Sequence, residues 1–112
     1  MSKFVLEKIV RQHAEMAAFL WSVYDRHLLH PEENAELDEV RIARLVERLE
    51  AHLDGLRVAR EAGLRIAKER YDEFPEQGEL FVLRMLSAAE PPRILDLDLD
   101  KVRTYLLSAP RP

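Results

Sequence analysis

The chain has 112 residues, a formal charge of −4, 47% hydrophobic and 34% charged residues, and no cysteine. The missing cysteine excludes disulfides, thiolate metal sites and cysteine nucleophiles, while the acidic balance gives no general attraction for nucleic acid or anionic membranes. No stretch approaches the ~20 apolar residues of a membrane span, and the opening MSKFVLEKIVRQ, charged at Lys3, Glu7 and Lys8, holds no signal-type apolar run; a cytoplasmic location is expected.

The first element is a helix over about residues 3–29. Ile9, Met16, Leu20, Tyr24 and Leu28 recur at helical spacing, Ser2 can cap the start, and Pro31 ends the element because the residue before a proline avoids the helical region. The acidic HPEENAE segment is then a short connection whose carboxylates suit the start of a following helix.

The longest periodic stretch covers about residues 37–73, with Ile42, Leu45, Leu49, Leu53, Leu56, Ala59, Gly63 and Ile66 three or four apart. Gly55 and Gly63 each weaken a helix interior by ~1 kcal/mol relative to Ala. Close approach of another helix explains them, and so does a break into two helices near Gly55. The stretch is read as one long central helix, bent where necessary.

PEQG is a turn, and residues 78–89 form a shorter helix that Pro91-Pro92 stops. ILDLDLD alternates at the strand period, but a lone strand has no partner, so a last helix over about 99–108 is the better account. The expected fold is one all-α domain over 1–112, an antiparallel helical assembly.

Two segments carry a family likeness. They are His13-Ala14-Glu15-Met16-Ala17-Ala18-Phe19-Leu20-Trp21 and Arg48-Leu49-Glu50-Ala51-His52-Leu53-Asp54-Gly55-Leu56-Arg57-Val58-Ala59, the latter extended by Glu61-Ala62-Gly63. In this order they resemble the N-terminal region of a largely uncharacterised family of bacterial HEAT-repeat proteins, over roughly residues 8–90. The resemblance implies helical hairpins at or before the start of a solenoid, a scaffold that binds other macromolecules along its faces. Family members continue into further repeats, whereas this sequence ends at Pro112.

His13 and His52 fall within these segments, on the apolar stripes of their helices. If the helices pack antiparallel, a buried imidazole needs a partner, and an interhelical hydrogen bond is the expected role for both. His27 and His30 share a helix face ahead of Glu32 and Glu33, the outline of a metal site that lacks identified third and fourth ligands. Asp96, Asp98 and Asp100 lack the glycine and closing glutamate of a calcium loop. Ser22, Ser87 and Ser108 sit in no nucleophile motif, so no catalytic residue is nominated.

Of the 17 basic residues 13 are arginine, and Arg41, Arg44, Arg48, Arg57 and Arg60 follow the long helix. Glu47, Glu50, Asp54 and Glu61 are interleaved at ion-pairing distances, which favours a neutralised face over a phosphate-binding stripe. Phe19, Trp21 and Tyr24 cannot all enter one core from one helix, since Phe19 lies ~100° from Leu20. The expectation is a non-enzymatic scaffold or protein-interaction module without a cofactor. It would bind a protein partner or itself through Phe19, Trp21, Arg41 and Arg48, and not nucleic acid or membrane. The alternative is a small bundle that binds a metal or small ligand through histidines.

Overall fold

A computed structural model describes residues 3–33 and 36–88. Among these the structure is all-α: α1 (Lys3–Leu29), a 3-10 turn (Pro31–Glu33), α2 (Glu39–Val58), α3 (Glu61–Glu73) and α4 (Gln77–Ser87). Ser2 as a cap, the Leu/Asp alternation, the Asp96, Asp98 and Asp100 triplet and the helix expected over 99–108 lie outside the described residues.

The single helix expected over 37–73 is two helices. The chain reverses at Ala59-Arg60, where Arg60 takes φ 53 and is, among the described residues, the one position other than glycine with positive φ. The break falls neither at Gly55 nor at any turn-forming residue. It is held instead by short-range bonds: Arg60 N–H donates to the Arg57 carbonyl at 3.0 Å, and Ala62 N–H to the Ala59 carbonyl at 3.2 Å. Gly63 explains why the reversal closes. A Cβ there would run into the carbonyl oxygen of Leu56, so only glycine lets α3 fold this tightly against α2.

At the other end of α2, Asp38 caps the helix by accepting the Arg41 N–H at 2.9 Å. The Arg41 guanidinium donates back to Asp38 and to the Glu36 carbonyl, so the capping loop is tied to its own helix.

Ion pairs show the direction of travel. Glu7 meets Arg65, Arg11 meets Glu69 and Glu15 meets Arg70, so α1 and α3 advance together while α2 runs back between them in sequence. α4 returns again, since Gly78 sits against α1 at Ala18 and Ser22 while Leu86 approaches Leu64 and Leu56. α1 therefore packs against each of the other three helices. Its contact face is made narrow by Ala14, Ala17 and Ala18, all buried, and a Cβ on Gly78 would clash with the Ala18 carbonyl.

Trp21 stacks on Phe81 with ring centroids 4.1 Å apart and 8° between planes, in a core of Leu49, Leu53, Leu56, Ile66, Val82 and Met85. This overturns the expectation that Trp21 belongs to an interaction surface. It is 1% exposed, because α4 lands on the side of α1 that carries it. Such a stacked pair adds about 1 kcal/mol to the burial of its area.

The reversal predicts substitutions of opposite sign. Arg60→Gly relieves the positive φ and is expected to raise stability by about 1 kcal/mol, net of the added freedom of the unfolded chain. Gly63→Ala forces a Cβ against backbone and is expected to destabilise by about 2 kcal/mol. Urea unfolding of both variants checks the pair; a neutral Gly63→Ala sinks this account of the hairpin.

Candidate functional site

Four polar groupings stand out, one within α2 and three between helices. The Glu50 carboxylate is almost fully buried and accepts from Arg57 at 2.7 Å, and Asp54 accepts from the same guanidinium nitrogen at 2.7 Å. A buried carboxylate without its cation would be strongly destabilising, so this grouping is structural. Arg70 lies between Glu15 of α1 at 3.6 Å and Glu79 of α4 at 3.7 Å, with its guanidinium 4.5 Å above the Phe74 ring. Arg65 bonds Glu7 across the α1–α3 seam and Glu69 within α3.

The fourth grouping is the histidine pair. Nδ1 of His13 and Nδ1 of His52 lie 3.0 Å apart, bridging α1 and α2, with ring centroids 5.2 Å apart. Only one proton fits between them, so the hydrogen bond needs at least one imidazole deprotonated at Nδ1. Burial, then the His13 ring, then Arg48 pull the His52 pKa below the usual imidazole value. The other edge of the His13 ring rests over Gly55, where a Cβ would stand 2.7 Å from Cδ2 and 2.8 Å from Nε2. Gly55, inside a continuous α2, thus accommodates a ring and not a break.

His13 and Gly55 also end an open groove of about 540 Å³. Leu6, Ile9 and Val10 line it from α1, Val58, Ala59 and Ala62 from the α2–α3 reversal, and Glu7 flanks the end away from His13. Leu6, Ile9 and Val58 are exposed there, Val58 to 81%. No periodicity argument points to this groove, because it exists only where α3 turns back.

The remaining expected residues disperse. Phe19 is 60% exposed on a polar stripe of α1 that includes Gln12, Glu15 and Arg26. Arg41 is committed to the α2 cap, and Arg48 is exposed one turn before His52. His27 and His30 border a smaller cleft with Arg26 and Glu33, and Arg26 pairs with Glu33 at 2.9 Å. His30 Nδ1 is 3.9 Å from Glu32, and among the described residues no three His, Asp or Glu side chains converge on a metal position. No helix among the described residues is long and apolar enough to cross a membrane.

No protein-family model, no curated protein and no solved structure matches this chain.

The His pair predicts a pH dependence. His52 binds its proton less readily folded than unfolded, so the unfolded chain takes up more protons between the lowered value and about 6.5. Its contribution is therefore complete above that upper limit and is lost as the pH falls through the window. Chemical unfolding as a function of pH is expected to show stability falling on acidification below about 6.5, with a shallower fall in His52→Leu. Identical slopes in the two proteins would refute the assignment.

Proposed function

We propose that this chain is a non-enzymatic helical scaffold or protein-interaction module of the cytoplasm, resembling the start of a HEAT-repeat solenoid. Much of its polar chemistry is engaged in joining helices: His13 to His52, Arg70 to Glu15 and Glu79, Arg65 to Glu7, Arg11 to Glu69. The observation that carries the reading is Phe19, a large aromatic exposed amid a polar helix face and unused by the core. Aromatic side chains are enriched in contact surfaces because they bring much area for little lost freedom.

A second reading, a small ligand held through a histidine, is favoured by one specific observation: His13 opens onto an apolar groove. The geometry lends no comparable support to a metal.

Light scattering across a concentration series tests the first reading. The expected result is reversible self-association that Phe19→Asp weakens while leaving thermal stability within about 0.5 kcal/mol, as for an exposed site. A strict monomer at high concentration removes self-association, and a dimer indifferent to Phe19→Asp removes this surface.

A further inference from the structure

We infer that the groove between α1 and the α2–α3 reversal binds an unbranched alkyl chain carrying a carboxylate, with the carboxylate at His13 and the chain running toward Glu7. The inference rests on the small-ligand reading and names the ligand class.

The dimensions come first. From Leu6 to His13 the groove follows α1 for ~10 Å at 1.5 Å per residue. The groove is open along one side and lined on the other by helix faces, so a chain can lie along it. An extended peptide is disfavoured because the lining is made of helix faces, whose backbone groups are mostly bonded within their own helices or across the reversal and form no open ladder for a strand-like partner. A hydrocarbon chain asks for no such bonds, and Leu6, Ile9, Val10 and Val58 give it apolar surface to cover.

The polar ends are unlike. At the Glu7 end the carboxylate is already held by Arg65 at 2.6 Å, so it neither seeks a cation nor leaves a bare negative charge. At the other end, His13 uses Nδ1 on His52, which leaves Nε2 as the ring's remaining polar atom where His13 lines the groove. When His52 donates across the pair, neutral His13 is left with its proton on Nε2, and protonated His13 also carries one there. If His13 donates instead, its Nε2 is a bare acceptor; a carboxylate selects the arrangement in which Nε2 carries the proton at the end of the apolar channel, with the charge of Arg48 one turn beyond on α2. An acceptor of negative charge complements that end, and a cationic or purely apolar head does not.

The test is calorimetric titration of the purified chain with decanoate, decanol, decylamine and acetate, below micelle-forming concentrations. Decanoate is expected to bind about tenfold more tightly than decanol, the ratio given by one hydrogen bond to a charged group. Decylamine should bind more weakly still and acetate not at all. His13→Phe should reduce decanoate to the level of decanol. Because that variant also unpairs His52, Arg48→Glu and Val58→Glu, both at exposed positions, serve as companions. Each should weaken decanoate more than decanol without loss of helicity. In nitrogen-15 spectra the His13 Nε2 resonance should shift with decanoate and stay fixed with acetate.

Equal binding of decanoate and decanol overturns the carboxylate, and decylamine binding best through His13 does so while leaving a histidine-held ligand in place. No binding by any probe overturns both. A dimer that Val58→Glu dissociates, and decanoate does not, assigns the groove to a second copy of the chain and also overturns the inference.

Discussion

The reversal at Ala59-Arg60 is the constraint on which the rest of this structure depends. A backbone at φ 53 on an arginine is unfavourable by itself, of order 1–3 kcal/mol, and persists only where surrounding contacts dictate it. Those contacts are the approach of Gly63 to the Leu56 carbonyl and the seating of Ile66 and Ala67 in the core. Once the chain has turned, α3 runs beside α1, which aligns Arg65, Glu69 and Arg70 with Glu7, Arg11 and Glu15. The turn also places Val58, Ala59 and Ala62 opposite Leu6 and Ile9, so the groove is a by-product of the same event.

The electrostatics follow a division between held and unheld groups. Exposed ion pairs such as Arg65 with Glu7 add little individually and chiefly fix the register of α1 against α3. Glu50 differs, because its carboxylate is out of solvent and its pairing with Arg57 prevents a large penalty. The histidine pair lies between these cases, and His52, partly buried and near Arg48, has its pKa drawn below the usual imidazole value. The pair's second edge is what gives the groove a chemical direction.

Much of the fold was legible in the residues. The 3.6-residue periodicity and Pro31 placed α1 at Lys3–Leu29, and PEQG marked the turn before α4. The interleaved arginines and glutamates of the long stretch suggested a neutralised surface; there Arg57 pairs with Asp54 and with the buried Glu50, and Arg41 with Asp38, while the ion pairs between α1 and α3 are carried by other residues. The stripes that hold His13 and His52 were visible too, since antiparallel helices carry such positions to one interface. Other features were not legible. Gly55 and Gly63 look alike in sequence, yet one accommodates the His13 ring within a continuous helix and the other admits a carbonyl at a reversal.

The sequence by itself determined that the chain forms amphipathic helices, which of their faces are apolar, and where proline and the PEQG turn separate them, because these depend on neighbours along the chain. Only the tertiary structure decided that the long periodic stretch breaks at Arg60, a residue with no turn preference of its own. It also decided that Trp21 goes under α4 while Phe19 stays outside, and that His13 faces an open groove. Each of these depends on what a distant segment brings to the same place. Local propensity is worth at most ~1 kcal/mol per residue for anything but proline, and the burial of a helix face outweighs it.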